Sequence, residues 1–420
     1  MEGTRPPEAN PPGLGRYRIR VPSLPRRLWY FCSFRPLGLS TIPLASVGSI
    51  KCDDSDCLFP FPGTVNDRAV LTPKQFLRED RVLRILMYHR VAELKDTPTI
   101  DSRSVSATPS LFAQQMRHLA RYYHVVSMPE VLDAVKTDQP LRDRSLLITF
   151  DDAYADFADI AWPILHQFRL PATVFVPTAY PGCPELAFWW DRLYQAFDRT
   201  RRTELRDTPL GPLPLADPDL RRRSLRALQN YVPTIPHDKA MRLVDSVCAQ
   251  LVETPLKCGS VLNWDQLRQL ARDGVTLGSH TRTHPILTQL PADRIREEVR
   301  GSLQDLKTEI GFALPIFCYP NGDHDATVMT ILREEGIQLG FSTLVGENEW
   351  DSTDLLRLRR IGITPRSSLP IFSLRLLRPG MYLDAWRYRR MKHLPKEGFT
   401  PVQPMLSKEG GPLGAEHTVH

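Results

Sequence analysis

Seven short β-rich runs, separated mostly by helical patterns, constrain this chain's fold more than any other feature. They fall at residues 84–91, 146–150, 172–176, 275–278, 315–319, 338–342 and 358–363. Strands that alternate with helices pair in parallel, because each crossover returns the chain to the same end of the sheet. Seven such units fit a barrel-like closure. The helical patterns carry their own punctuation. Thr108 and Pro109 supply a cap and a first-turn proline ahead of Phe112, Met116, Leu119 and Tyr123, one face of a helix. Asn263 caps a pattern carrying Leu267 and Leu270 that ends at Gly274. Ile295, Val299, Leu303, Leu306 and Ile310 form a third stripe stopped by Gly311, and Val328, Ile331 and Leu332 a fourth stopped by Gly336. Packing explains all of these stripes.

The barrel pattern occupies residues 81–365, and one segment breaks its rhythm. Residues 181–260 contain no good strand and two or three helical patterns. They carry Arg199, Arg201, Arg202, Arg206, Arg221, Arg222, Arg223 and Arg226. A helical cap inserted over the barrel mouth is expected there, with the arginines on a solvated helix face. Residues 1–80 are expected to be a poorly ordered extension, since Pro6, Pro7, Pro11, Pro12, Pro22, Pro25, Pro36 and Pro43 fall too often for regular elements. A helical segment is expected over 366–393 and a flexible tail over 394–420. The net charge of +6 tolerates an anionic partner without demanding one. With no reader motif, nucleic acid is not expected as a partner. No stretch reaches the roughly 18 apolar residues of a membrane span, and Arg35 interrupts the one basic-then-apolar start, Arg26 to Phe34. Seven cysteines, an odd number, read as reduced thiols in a cytoplasmic protein.

Two of the runs end in chemistry. Ile148-Thr149-Phe150-Asp151-Asp152 delivers two adjacent carboxylates from a strand end, and Ser279-His280-Thr281-Arg282-Thr283-His284-Pro285 delivers two imidazoles. The spacing of the histidines is weak evidence by itself. Pro285, however, disfavours helical geometry at His284. That excludes the metal-binding helix of metalloproteases and puts both rings on a loop, at the face where barrel active sites lie. One carboxylate and two imidazoles make a three-ligand site for a divalent metal with a further position open. The other aspartate then stands beside it as a general base, and the set describes metal-assisted hydrolysis. Helix capping is the competing reading of the aspartate pair, and a helix is expected to start at Asp152 or Ala153 and run through Tyr154 and Phe157.

Three segments, in order along the chain, resemble the first three motifs of the NodB-type polysaccharide deacetylases, carbohydrate esterase family four. They are Thr149-Phe150-Asp151-Asp152, His280-Thr281-Arg282-Thr283-His284-Pro285 and Phe317-Cys318-Tyr319-Pro320-Asn321-Gly322. Leu86-Met87-Tyr88-His89-Arg90-Val91 and Phe188-Trp189-Trp190-Asp191-Arg192-Leu193 are similar to the branch found in exopolysaccharide biosynthesis clusters. The resemblance spans about residues 83–365. It implies a distorted (β/α)7 barrel whose metal, zinc with cobalt or nickel as alternatives, is held by Asp152, His280 and His284. Asp151 matches the family's general base. The implied reaction removes acetyl from an N-acetylated poly- or oligosaccharide, with the backbone N–H near Asn321, in the turn opened by Tyr319, as a second oxyanion donor.

The chain departs from the family pattern in three places. Ala153 replaces the glycine that usually follows the aspartates, adding a β-carbon where the chain turns. The arginine that usually holds the base is absent, Phe317 and Cys318 standing there; Arg359 or Arg360 could substitute, with surface exposure expected for at least one. The usual Leu-x-His acid motif near the C-terminus is also missing. His89 is the replacement candidate, against the competing reading of a structural histidine, and His324 is a weaker one. Trp189, Trp190 and Tyr194 offer flat apolar faces to sugar rings, although two adjacent tryptophans are not expected to face one groove and a hydrophobic hinge competes. The expected partner is an N-acetylated glycan, with peripheral contact to a membrane-linked glycan as an extension. O-acetyl ester hydrolysis and a non-catalytic glycan-binding descendant of the fold are the alternatives.

Overall fold

The computed structural model describes residues 82–93, 100–183, 185–253, 260–350 and 352–393. The N-terminal extension and the tail from residue 394 lie outside the described residues. Seven strands run parallel in chain order: β1 (Val82–Tyr88), β2 (Ser145–Phe150), β3 (Thr173–Val176), β4 (Thr276–Ser279), β5 (Ile316–Cys318), β6 (Leu339–Phe341) and β7 (Ile361–Gly362). Each overlaps one of the seven predicted runs. The seventh closes the ring in two steps. Leu358 bridges to Phe341 in β6, and Ile361 and Gly362 pair with Leu86 and Met87 in β1. Between those steps the side chain of Asn348 fills the gap, its Nδ2 donating to Leu83 O and Arg359 O while its Oδ1 accepts from the Arg359 N–H. This is the distortion in the (β/α)7 barrel: one strand is split between two neighbours and a side-chain amide completes its ladder.

Buried apolar side chains fill the barrel as its strands alternate inward and outward. Ile85, Leu147, Phe175, Ile316, Leu339 and Phe341 form one cluster. At β4, a β-carbon on Gly278 would lie 2.7 Å from Phe175, so this position accepts no side chain. The outer helices are α1 (Pro109–Tyr122), α2 (Met128–Thr137), α3 (Trp162–Gln167), α7 (Trp264–Arg272), α8 (Ala292–Ile310) and α9 (Ala326–Glu334), with α4 to α6 in the insert. Their ends follow local chemistry. The Thr108 side chain accepts from the Leu111 N–H with Pro109 in the first turn, and Asn263 and Gln266 form a reciprocal capping box. Gly311 ends α8 in a left-handed conformation.

The insert forms three helices, α4 (Trp189–Arg199), α5 (Pro218–Tyr231) and α6 (His237–Leu251), around an apolar cluster of its own that includes Leu193, Phe197, Leu228 and Val244. It also contains a short antiparallel pair, Glu204–Leu205 with Leu213–Pro214, that the absence of an alternating pattern had hidden. Arg222, Arg223 and Arg226 are exposed on α5. Two further helices, α10 (Leu369–Arg375) and α11 (Arg378–His393), occupy the predicted C-terminal segment. Among the described residues, no helix is long and apolar enough to cross a membrane.

Candidate active site

The two aspartates and two histidines leave their strands at the same end of the barrel and meet. Asp152 Oδ1 lies 3.5 Å from His280 Nε2 and 3.3 Å from His284 Nε2, and the two nitrogens are 3.2 Å apart. For metal–ligand bonds of 2.0–2.1 Å, the edge of a tetrahedron is roughly 3.3–3.4 Å. The three ligand atoms thus form a face of the right size for a divalent cation. Asp152 Oδ1 is buried, and the two imidazole nitrogens are the polar atoms it faces. The His280 ring is also fixed in orientation. Its Nδ1 lies 2.8 Å from the Cys318 carbonyl, which can only accept, so Nδ1 carries a proton and Nε2 is the nitrogen turned toward Asp152. A second grouping of potential ligands, Asp151, His280 and Cys318, has no such opening, since Asp151 is already occupied.

What occupies Asp151 is Arg360. The Arg360 side chain is fully buried and spends all five N–H donors. Nη1 bonds Asp151 Oδ1 at 2.7 Å and Thr149 Oγ1 at 3.3 Å. Nη2 bonds Asp151 Oδ2 at 2.7 Å and Cys318 Sγ at 3.2 Å, and Nε bonds the Ser342 carbonyl at 2.8 Å. Arg359, one residue earlier, is exposed. Strand alternation sends one arginine into the barrel and the other outward. The arginine that the third motif lacks is therefore supplied from the far end of the barrel sequence.

These contacts set the charge states. Burial works against ionisation of Asp151, and the Arg360 charge and hydrogen bonds more than offset it, so its pKa lies below the ordinary carboxylate value. Burial also opposes the charge of Asp152, and the two imidazoles overcome it; the pKa lies far below the usual range. Burial lowers His284, with the neighbouring His280 adding to the effect.

The backbone here is turned sharply without glycine. Asp152 and Ala153 have φ of 70° and 49°, Thr281 and His284 66° and 59°, and Asn321 57°. L-residues pay roughly 1 kcal/mol or more for that region, and such positions gather where a site dictates the backbone. The expected helix start at Asp152 or Ala153 is corrected accordingly. The helical segment begins only at Phe157, because Ala153 O and the Ala155 N–H bond Leu262 and Ser260 on the segment returning from the insert. Asp152 caps no helix.

The remaining predicted residues divide. His89 lines the same cavity as the aspartates, and its N–H is pinned to Ser106 Oγ at 2.9 Å. Asn321 lines it too, on a turn whose Gly322 leaves no space for a β-carbon against the Thr343 backbone. Tyr319 also lines the wall, yet its polar groups are spent inward. The hydroxyl donates to Leu356 O and the N–H to Phe341 O, so Tyr319 supports the turn and offers no oxyanion donor. Against expectation, Trp189 and Trp190 both line the cavity. Neighbours on a helix differ by about 100°, which lets one wide cavity touch both. Trp190 Nε1 donates to Tyr154 Oη at 2.9 Å, and its ring packs edge-on to His284 at 5.1 Å. His324 bonds the Gly322 carbonyl through Nδ1 and stacks on Tyr319. Asp101, Arg103, Tyr154 and Gln229 also line the cavity. No motif marks them, since their roles come from tertiary contacts alone.

Residues 240–340 match the polysaccharide deacetylase family; His280, His284 and the Tyr319–Gly322 turn fall inside the match, and the aspartates lie upstream of it. Over 73 residues the chain is 33% identical to the poly-beta-1,6-N-acetyl-D-glucosamine N-deacetylase of Escherichia coli K12, covering 17% of this chain and 11% of that protein. The chain thus spans about a tenth of the length of the curated relatives it matches. Among solved structures, a Streptococcus pyogenes deacetylase in complex with acetate shares 21% identity and a TM-score of 0.48, over 71% of this chain and 99% of that one. The IcaB structure from Ammonifex degensii shares 19% identity and a TM-score of 0.44, over 68% and 94% of the two chains. Over residues 240–340, about a quarter of its length, the chain is thus similar to the polysaccharide deacetylase family.

Proposed function

We propose that this protein removes acetyl groups from an N-acetylated poly- or oligosaccharide by metal-dependent hydrolysis, releasing acetate. One observation carries the reading. A metal-sized face made by Asp152, His280 and His284 shares a cavity with an ionised aspartate, Asp151, whose both oxygens are fixed by Arg360.

Asp152, His280 and His284 would hold a divalent cation, and two imidazoles with one carboxylate suit zinc first, with cobalt or nickel as alternatives. When bound, the cation supplies Lewis acidity, acidifying water and offsetting negative charge on the acetyl oxygen. Asp151 accepts the proton of the attacking water. Its orientation is set in advance by the two Arg360 contacts, so little reorganisation accompanies proton transfer. His89 holds the proton for the departing nitrogen. The backbone N–H of Asn321 donates to the oxygen that becomes negative. Trp189 offers an apolar face to a sugar ring. Assignment to the cytoplasm is part of the same proposal, supported by an odd number of cysteines and by the free thiols of Cys183, Cys248 and Cys318.

The test is acetate release by the purified, zinc-loaded protein from N-acetylglucosamine oligomers and, in parallel, from acetylated xylan. Release from the first supports N-deacetylation. Release from the second alone would replace it with O-acetyl ester hydrolysis, and release from neither, with metal bound, would leave a glycan-binding descendant of the fold.

A further inference from the structure

The insert ties itself to two loops along one side of the barrel mouth. From α5, Gln229 Nε2 donates to Asp101 Oδ2 at 3.1 Å, on the segment that follows β1. Asp101 is itself 6% exposed and gripped by Arg103 at 2.7 Å. Immediately after α5, the carbonyl of Pro233 accepts from Gln289 Nε2 at 2.6 Å, on the segment that follows β4. The insert grows out of the connection between β3 and β4, so these ties carry it across the loops of one side of the barrel, from β1 to β4. Asp101, Gln229 and Pro233 line the cavity over Asp151 and Asp152, and Trp189 and Trp190 stand in the same wall. The far wall, made by Asn321, Asp323 and Thr343 after β5 and β6, has no hydrogen bond to the insert among the described residues.

A site that works on internal units of a long glycan needs a groove open at two ends, so that sugars on either side of the reacting one have somewhere to go. Here one end is walled by a folded unit with its own core, held by the two glutamine contacts in addition to the Trp190–Tyr154 hydrogen bond at its root. The cavity, about 590 Å3 and open to solvent on its remaining side, has room for a small ligand or one end of a longer one. We infer that the site admits the glycan end-on: a terminal N-acetylated sugar enters toward the insert wall, and the rest of the chain leaves past Asn321 and Asp323. The substrate class is then a chain end or a short glycan, and each chain loses one acetyl group. This inference rests on the deacetylase reading above.

The test uses the full-length, zinc-loaded protein and N-acetylglucosamine oligomers of increasing length, with the reducing end labelled by oxygen-18. Fragment mass spectrometry maps which unit has lost its acetyl group. Loss from one terminal unit, with one acetate per chain at every length, is the expected result. Loss from internal units, or acetate per chain rising with length, would overturn it. No release from any oligomer would overturn the deacetylase reading itself, and the end-on inference with it. A Gln229→Ala/Gln289→Ala double variant removes both glutamine contacts. Internal units should then begin to lose acetyl groups, whereas an unchanged end-only pattern in this variant would overturn the role given to the insert.

Discussion

Asp151 and Asp152 are adjacent and almost equally buried, at 3% and 4% exposure, yet the protein treats them in opposite ways. On the Asp151 side every polar atom is answered: five arginine donors meet five acceptors, and the carboxylate is neutralised by a permanent cation. On the Asp152 side the charge faces two imidazoles. Two imidazoles answer a buried carboxylate less completely than a permanent cation does, and a divalent cation held there would add counter-charge. One half of the site is complete within the chain, and the other would be completed by a bound metal.

Breaking each half should therefore give different symptoms. The largest contrast is between Asp151→Asn and His284→Ala. The first should lower turnover by at least about a hundredfold while zinc remains bound at one per chain. The second should lose both zinc and turnover. Metal analysis of the two purified variants decides, and loss of zinc from Asp151→Asn would erase the distinction.

Arg360→Met comes next, because it strips the counter-charge from a buried carboxylate. A loss of about 3–5 kcal/mol is expected in denaturant unfolding. The direction with pH follows from the depressed pKa of Asp151. In the parent its stabilisation is present above the unfolded carboxyl's ordinary pKa and lost as pH falls through the lower folded value. The variant should lack that contribution, and its acid limb of activity should move to higher pH as burial acts against the weaker histidine charges alone. An unchanged acid limb would show that Arg360 does not govern Asp151.

Asp191, at the root of the insert, extends the comparison. It is buried, and burial together with other carboxylates raises its pKa to about 6 against the opposing Arg90 charge and the Tyr154 hydroxyl. No histidine pair converges on it among the described residues. A raised folded pKa means stability is full below the unfolded value near pH 4 and is lost as pH rises through 6. Asp191→Asn should thus stabilise the protein at pH 8, by up to roughly 3 kcal/mol, and leave it unchanged at pH 4. Thermal melts at the two values check this, and equal effects at both would remove the electrostatic explanation.

The smallest effect is expected at Ala153. Glycine there relieves about 1 kcal/mol of left-handed strain and gives up a buried methyl worth roughly 0.8 kcal/mol. Ala153→Gly should leave the melting temperature nearly unchanged. A shift of several degrees either way would mean that strain and packing are not balanced beside Asp152.

Much of this arrangement was legible before the structure. Local patterns place the seven strands, because a buried parallel strand must be a short, strongly apolar run between breakers. The same logic puts two carboxylates and two imidazoles at strand ends. The false helix start at Asp152 arose because a capping preference is local, whereas the imidazoles and the Leu262 and Ser260 contacts that override it come from distant residues. Arg359 and Arg360 are indistinguishable by type, and only the split closing strand decides which enters the barrel.

What the sequence determined by itself is thus the class of scaffold and which carboxylates and imidazoles leave its strand ends, since hydrophobic periodicity and side-chain chemistry are carried by neighbours along the chain. Tertiary structure alone decided which arginine answers Asp151, that Trp189 and Trp190 share one wall, and that Gln229 and Gln289 fasten the insert along one side of the mouth. Those contacts join residues far apart in sequence, and their geometry exists only once the ring of strands has closed.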